Sequence, residues 1–376
     1  MTKPMNTPLR SIPVFFQPEM ATDAGSYAPS AGKPPLAVAD WLAHGLPIEV
    51  RRFVPVDEDT LALAHDRDYV RGVLRGEITN GFGNKRPSVA ATLRHTTGAM
   101  LAAAEAALDN RRVACAPVSG FHHASHAQAA GFCTFNGLMV TALALKLDDK
   151  VSEVGILDLD QHWGDDTDAI IRKLGTPWIK HHTAGRDHPG PEDAEDYLDK
   201  LPDLVRGFID CGILLYQAGA DAHVKDPLGG WMTDEQLARR DRIVFATAAE
   251  MGAPVAWNLA GGYQLDRDGG IGPVLAIHRR TMQACADVHV GVRVDAGTGG
   301  QPGRRAGGGA PPCPCALFSS TPGSRSTQRL RSRRRMGPVC WTAFHRTLCT
   351  CTGRRWSTNS TGGWRIWSNT RCRRAS

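Results

Sequence analysis

Short apolar runs alternate with longer amphipathic stretches over the first 290 residues of this 376-residue chain. The apolar runs predict strands, and the stretches with helical spacing predict helices. A Thr-x-x-Gln capping box at Thr233 opens one of these helices, and Gly252 ends it. The predicted strands are Ile12–Gln17, Ile48–Val54, Val113–Pro117, Val154–Leu159, Gly212–Tyr216 and Pro254–Leu259. The other predicted helices cover residues 96–108, 138–147, 194–208 and 272–286. This alternation predicts an α/β fold with a central, mainly parallel sheet flanked by helices.

Composition divides the chain at about residue 290. Residues 291–376 hold 16 Arg, no Lys and a single acid, which gives this segment a charge of +15 against −9 for residues 1–290. The segment is rich in Gly, Pro, Ser and Cys and has no periodicity, so we predict a disordered tail. Its composition is also what out-of-frame translation of a GC-rich gene would give. We therefore predict one folded domain over residues 1–290 and a tail over 291–376.

The remaining composition narrows the classes of function. No run of about 18 apolar residues occurs, and the first ten residues lack the apolar core of a secretory signal, so we predict neither a membrane span nor secretion. The four cysteines of residues 1–290 stand in apolar surroundings, which favours buried free thiols and a cytoplasmic location. The Arg-rich run at 329–335 predicts no specific nucleic-acid partner, because an unfolded basic run binds polyanions non-specifically.

Two carboxylates and an imidazole follow one predicted strand at a spacing of two residues. In Ile156-Leu-Asp-Leu-Asp-Gln-His162, an extended chain places Asp158, Asp160 and His162 on one face. These side chains are suitable ligands for a divalent metal ion. The alternative is a polar turn after an edge strand.

Three further predicted strands also end in residues with catalytic chemistry. Asp221 follows the strand at 212–216, Gly261-Gly-Tyr263 follows the strand at 254–259, and His122-His123 follows the strand at 113–117. Taken singly, Asp221 is more often a turn residue and Tyr263 more often a core residue. Ligands of parallel sheets bind at the carboxyl ends of the strands, so the four strand ends together predict one site.

These motifs resemble the zinc-dependent histone deacetylase superfamily, including bacterial deacetylase-like amidohydrolases and acetylpolyamine amidohydrolases. The resemblance runs from about Ile12 to about Ala286 in the order of the family, and it implies the three-layer arginase/deacetylase-like fold. The motifs that carry it are Leu61–Val70, His122-His123, Gly131–Asn136, Asp158–Asp165, Gln217–Asp221 with Asp226–Gly229, and Gly261–Tyr263.

The resemblance implies a metal centre. Asp160, His162 and Asp221 would hold one Zn²⁺ per chain, with Fe²⁺ left open as the ion used in the cell, and a water would complete the site. A monovalent cation such as K⁺ would bind near Asp158, Asp160 and His162, mostly through backbone carbonyls.

The resemblance also implies roles for the residues around the metal. His123 would be the general base, with His122 as its electrostatic neighbour; Asp165 would orient His123, and Asp158 would orient His122. Tyr263 would donate its hydroxyl to the oxyanion. The residues implied for substrate binding are Phe132 and Gly131 in the channel, His188 near the second channel wall, and Gly262.

The sequence departs from the family pattern at Phe121, Trp163 and Asp166, none of which is an implied ligand or base. The resemblance therefore implies a deacetylase that releases acyl groups from lysine side chains or related amines. Two alternatives stay open: a non-catalytic acyl-amine binding protein of this fold, and an acetylpolyamine-specific hydrolase. The natural acylated amine and the oligomeric state are not predicted. The segment Ser30–Pro34 resembles part of a phosphate loop, but it lacks the first glycine and the following Ser or Thr, so we predict no nucleotide site there.

Overall fold

One parallel sheet forms the centre of the protein in the computed structural model, which describes residues 8–290. Within these residues the sheet has seven strands in the order β2-β1-β3-β7-β6-β4-β5, and every strand pair is parallel. The strands are β1 (Ile12–Phe15), β2 (Ile48–Arg51), β3 (Val113–Ala116), β4 (Val154–Asp158), β5 (Ile179–Thr183), β6 (Ile213–Gln217) and β7 (Val255–Asn258).

Helices cover both faces of this sheet. Because side chains alternate along a strand, Leu214 and Tyr216 of β6 enter one core while Ile213 and Leu215 enter the other. The first core is closed by α1 (Lys33–Ala43), α7 (Ala194–Arg206), α8 (Asp234–Met251) and α9 (Gly272–His289). The second is closed by α2 (Glu58–Leu61), α3 (Arg67–Leu74), α4 (Pro87–Asn110), α5 (Gly137–Leu147) and α6 (Asp165–Leu174). This three-layer α/β arrangement confirms the predicted fold class.

The six predicted strands are all present, and their observed ends lie within three residues of the predicted ones. The predicted start of the helix over residues 96–108 is wrong, because α4 already begins at Pro87. Proline is favoured at the first helical position, since a backbone N–H there would have no partner within the helix. The sequence analysis missed β5, since its Lys-His-His centre breaks the apolar run at the sheet edge. It also missed α1 and α6, whose first turns hold Pro34-Pro35 and an acidic cluster.

Other predictions concern buried thiols, membrane spans and the tail. The four cysteines of the described residues are unpaired and buried, as predicted. No helix among residues 8–290 has both the length and the hydropathy needed to cross a membrane. The tail predicted over 291–376 lies outside the described residues.

The strand order places the carboxyl ends of four strands side by side. Strands β3, β7, β6 and β4 are consecutive in the sheet, and all four run in the same direction. Each of the four predicted motifs follows one of these strands, so the sheet brings all four motifs to one edge.

Candidate active site

Two side chains at the ends of neighbouring strands form the base of the site. Asp158 ends β4 and Gln217 ends β6, and the two residues are direct partners in the strand register. Gln217 Nε2 donates to Asp158 Oδ1 at 2.9 Å, while Asp158 Oδ2 lies 2.6 Å from His122 Nδ1. Gln217 Oε1 accepts a hydrogen bond from the Phe121 backbone N–H. The register of β4 and β6 therefore fixes the position of His122.

The three residues implied as metal ligands lie together just beyond these strand ends. His162 Nδ1 is 3.1 Å from Asp160 Oδ1 and 3.2 Å from Asp221 Oδ2. Backbone N–H groups hold the carboxylates, because Gly261 donates to Asp160 Oδ2 at 2.9 Å and Gln161 donates to Asp221 Oδ1 at 3.2 Å. One ligand atom from each of Asp160, His162 and Asp221 lies within 4.8 Å of the others.

This cluster fits a divalent metal ion on its own chemistry. Asp221 Oδ2 is fully buried and accepts no hydrogen bond, although His162 Nδ1 lies 3.2 Å away, so this carboxylate oxygen has lone pairs available for a cation. Gly261 leaves the necessary room, since a Cβ there would overlap Asp221 Oδ2 and lie 2.8 Å from Asp160 Oδ2. Two carboxylates and an imidazole are a donor set that zinc and similar ions accept.

The protonation of each ligand depends on the charges of the other two. Burial and the neighbouring Asp160 carboxylate raise the pKa of Asp221 to about 7. Burial alone would lower the pKa of His162, but the carboxylates of Asp160 and Asp221 outweigh it and raise that pKa to about 11. A metal ion would therefore displace protons when it binds.

The adjacent histidines His122 and His123 differ in their protonation. Burial opposes charge on His122, but Asp158 and Asp160 raise its pKa to about 9. Burial and the charge of His122 lower the pKa of His123 to about 3. The two rings lie 4.1 Å apart at their centroids. At neutral pH, His122 is thus a cation, and His123 is a neutral base.

Two carboxylates approach His123 from the start of α6. Asp165 is exposed and Asp166 is half-buried, and one ligand atom from each lies within 4.8 Å of a His123 ring nitrogen. Burial and the Asp165 charge raise the pKa of Asp166 to about 6. The residue implied to orient His123 is therefore near it, together with Asp166, a second acid that is a departure from the family pattern.

Tyr263 and Phe132 stand on either side of the cavity above the ligands. The backbone N–H of Tyr263 donates to Asp226 Oδ2 at 2.8 Å, and the ring of Tyr263 lies 5.7 Å from that of Phe132. Burial and the Asp221 charge raise the pKa of the Tyr263 hydroxyl, so it stays protonated. The cavity is lined by Ser30, Ser119, Gly120, His122, His123, Gly131, Phe132, Cys133, Asp160, Gly261 and Tyr263.

Two residues implied for substrate binding lie away from this lining. His188 is exposed, and its backbone is left-handed at the end of a short 3-10 helix. Gly262 is buried, and a Cβ there would meet Val274 and Ala220. Their roles in binding substrate stay predictions.

The structure brings three residues to the site that the sequence analysis did not assign to it. The rings of Tyr27 and Phe82 pack on Phe132 at centroid distances of 5.4 and 5.9 Å. Lys33 is fully buried, and its Nζ donates to the carbonyls of Ala260 and Gly261 at 2.6 and 3.3 Å. Burial lowers its pKa to about 8, although Asp221 and Asp160 oppose this shift. Only the Ser30–Pro34 segment, considered as a phosphate loop, drew attention to Lys33 in the sequence.

Comparison with known proteins agrees with this geometry. The histone deacetylase domain matches residues 37–197, which include five of the strand-end residues described above but not Asp221 or Tyr263. An uncharacterized protein of Picosynechococcus sp. is 30% identical over 253 residues, covering 59% of this chain and 84% of that protein. The histone deacetylase-like amidohydrolase of Pseudomonas aeruginosa is 37% identical over 105 residues, covering 28% of this chain and 27% of that protein.

A solved structure shares the fold. The acetylpolyamine aminohydrolase from Burkholderia pseudomallei matches 74% of this chain and 99% of its own, with a TM-score of 0.57 and 17% identity. The domain match and the aligned amidohydrolase identify the family, and the solved structure shows a shared fold. This chain belongs to the histone deacetylase superfamily.

Proposed function

We propose that this protein is a metal-dependent hydrolase that releases acyl groups, acetyl in particular, from lysine side chains or related amines. The observation that carries the proposal is the cluster of Asp160, His162 and Asp221 at a cavity that is lined by Asp160, a neutral His123 and a protonated Tyr263. Zn²⁺ is the proposed ion, and the structural K⁺ is part of the same proposal.

Different residues of this chain have different roles in the proposed amide hydrolysis. Asp160, His162 and Asp221 would hold the metal ion, which when bound supplies a Lewis acid for the acyl carbonyl and lowers the pKa of water. His123 takes the proton of the attacking water at its neutral ring. The Tyr263 hydroxyl donates a hydrogen bond to the oxygen on which negative charge develops.

The leaving amine needs a proton, and the His pair can return one. His122 stays protonated beside Asp158, so its charge keeps His123 a weak base that gives its proton up readily. The aromatic rings of Phe132, Tyr263 and Phe82 enclose an apolar path for an acylated side chain.

Variants of the ligands test this proposal. Asp160→Ala and Asp221→Ala should each remove the metal and abolish acetate release from an acetyl-lysine peptide, because each deletes one of three ligands. Metal content by atomic emission and acetate release are measured together. Asp203→Ala, at a carboxylate of α7 that is 86% exposed, is the matched control and should keep both. A ligand variant with wild-type metal content and rate would refute the ligand assignment.

A substrate panel separates the alternatives. Acetyl-lysine peptide, trifluoroacetyl-lysine and acetylated polyamines are compared at equal concentration with the metal-loaded protein. Turnover of lysine substrates supports the proposed function, and turnover of polyamines alone identifies an acetylpolyamine hydrolase. Binding of these compounds without turnover identifies a non-catalytic acyl-amine binding protein.

A further inference from the structure

A buried arginine lies directly behind the candidate metal ligands. Arg240 stands on α8 and is 1% exposed. Its Nη1 donates to two backbone carbonyls, that of Leu159 at 3.1 Å and that of Gly219 at 2.8 Å. One guanidinium nitrogen therefore joins the two loops that follow β4 and β6.

These two carbonyls belong to the segments that carry the carboxylate ligands. Leu159 directly precedes Asp160, and Gly219 lies two residues before Asp221. Gly219 packs between the ligands so closely that a Cβ there would lie 2.5 Å from Asp221 Oδ1 and 2.7 Å from the Asp160 Cα. A shift of either carbonyl would therefore change the distance between the two carboxylates.

A network of buried groups holds Arg240 itself in place. Its Nε donates to Asp241 Oδ1 at 2.8 Å. Asp241 also accepts hydrogen bonds from the hydroxyls of Tyr216 on β6 and Thr281 on α9. The guanidinium is thus fixed from β6, α8 and α9, which leaves it little freedom to follow a moving loop.

Stability alone is a weak reason for such a pair. Replacing a buried ion pair by apolar residues of similar volume is often neutral or stabilising, because burial of charge costs as much as the pair returns. The Arg240 contacts instead hold the two loops whose buried carboxylates lie close together despite their mutual repulsion. A fixed positive charge there lowers this repulsion before any metal ion arrives.

We propose that Arg240 is a positioning residue for the metal site: it sets the spacing of the loops carrying Asp160 and Asp221 and offsets the repulsion between them. The inference rests on the proposed function, since it takes these residues as metal ligands.

The test compares metal affinity in variants of the full chain. Arg240→Met keeps much of the side-chain volume and removes the guanidinium group. Arg240→Lys keeps the positive charge without the planar guanidinium. The neighbouring Arg239, whose side chain is 45% exposed and pairs with Glu195 and Asp199, provides the matched control Arg239→Met. Each protein is stripped of metal by chelator, checked for fold by far-UV circular dichroism, and titrated with Zn²⁺ against a chromophoric chelator.

We expect Arg240→Met to raise the Kd for Zn²⁺ about tenfold or more, in the range seen when groups supporting metal ligands are removed. Arg240→Lys should recover part of this loss, and Arg239→Met should match the wild type. The Co²⁺-loaded Arg240→Met protein should also show a changed visible absorption band, because the ligand geometry relaxes. If Arg240→Met does not fold, the Arg240→Lys protein should still have a Kd for Zn²⁺ at least about threefold above that of the wild type.

Two results would overturn the inference in different ways. A folded Arg240→Met protein, or failing that a folded Arg240→Lys protein, with a Kd within twofold of the wild type would refute it and leave the proposed function intact. A wild-type protein that binds no stoichiometric Zn²⁺ or Co²⁺, and no more than the Asp160→Ala protein, would refute both.

Discussion

Burial decides the chemistry of single residues in this protein. Tyr263 is the clearest case at the candidate site, because its raised pKa keeps the hydroxyl protonated beside the ligand carboxylates. Tyr27 offers a comparison, since its ring packs on Phe132 of the cavity lining while its side chain is mostly exposed. We therefore expect the oxyanion role for Tyr263 and not for Tyr27, because Tyr263 lines the cavity together with the ligand Asp160.

Removing the Tyr263 hydroxyl tests this role. Tyr263→Phe should lower kcat by about 10²–10³, the usual cost of losing one oxyanion donor, while metal content stays unchanged. Tyr27→Phe also removes a hydroxyl and keeps the ring, and it should leave kcat within twofold. Steady-state kinetics on one acetyl-lysine substrate measure both. A Tyr263→Phe protein as active as Tyr27→Phe would exclude the proposed role.

A buried histidine, His65, makes the stability of the folded state depend on pH. Burial lowers its pKa to about 4, and its Nε2 accepts the backbone N–H of Asn136 at 2.8 Å. The folded state therefore holds His65 neutral, whereas the unfolded state protonates it below its ordinary pKa of 6.5. Because the unfolded state binds more protons between these values, stability is lost as pH falls from 6.5 towards 4.

The His65→Gln variant should lose less stability in acid than the wild type does. The expected difference is about 3 kcal/mol in the free energy of unfolding at most, lost between pH 6.5 and 4 by the wild type alone. Urea unfolding at pH 7 and pH 5 captures about 2 kcal/mol of this difference, with the half-buried His95→Gln as control. An equal acid loss in wild type and His65→Gln would contradict the assignment.

At the scale of elements, the loop between β7 and α9 shows how close the backbone comes to the ligands. Gly261 donates its N–H to Asp160 while leaving no space for a side chain against Asp221. Gly262 follows with φ +140°, a conformation that other residues rarely adopt. The double glycine therefore lets Tyr263 and the ligands share one small volume.

Adding one methyl group at Gly261 should disturb the metal site selectively. Gly261→Ala forces the Asp221 carboxylate away from its place, so we expect the Kd for Zn²⁺ to rise about tenfold or more. Gly32→Ala is the matched control, because a Cβ there meets nothing within 4 Å. Chelator competition and thermal unfolding are measured on both. Equal Zn²⁺ affinities in the two variants would contradict this geometry.

At the scale of the whole molecule, residues 8–290 contain the seven described strands and every residue of the proposed mechanism. The amino-terminal and carboxyl-terminal ends of this part meet, since the Leu9 N–H donates to the His289 carbonyl at 2.9 Å. Helix α9 ends at His289, where the composition of the chain also changes. The proposed boundary of the catalytic domain therefore stays at about residue 290.

A chain truncated after residue 290 tests this boundary. We expect unchanged metal stoichiometry and kcat, and better solubility, because the truncation removes a charge of +15, four Trp and six Cys. Full-length and truncated proteins are compared on one acetyl-lysine substrate and by thermal unfolding. Loss of activity or of cooperative unfolding would place part of the 291–376 segment in the folded domain.

The sequence by itself determined the local features, because they depend on neighbours along the chain. The capping box of α8 is an example: Thr233 and Gln236 exchange the predicted hydrogen bonds, and Gly252 ends the helix at φ +69°. The position of two acids after an apolar run also follows from sequence, but the common strand face predicted for Asp158, Asp160 and His162 does not hold, because β4 ends at Asp158 and the other two residues lie in the bend that follows it.

Only the tertiary structure decided which distant groups meet. The strand order makes β4 and β6 neighbours, which brings Asp221 to His162 and Gln217 to Asp158 across about 60 residues of sequence. Lys33 and Arg240 look like surface residues in the sequence, because no local pattern marks a buried cation. Their place depends on how α1 and α8 pack beneath the loops of other strands, and such long-range packing leaves no trace in the hydrophobic period of either helix.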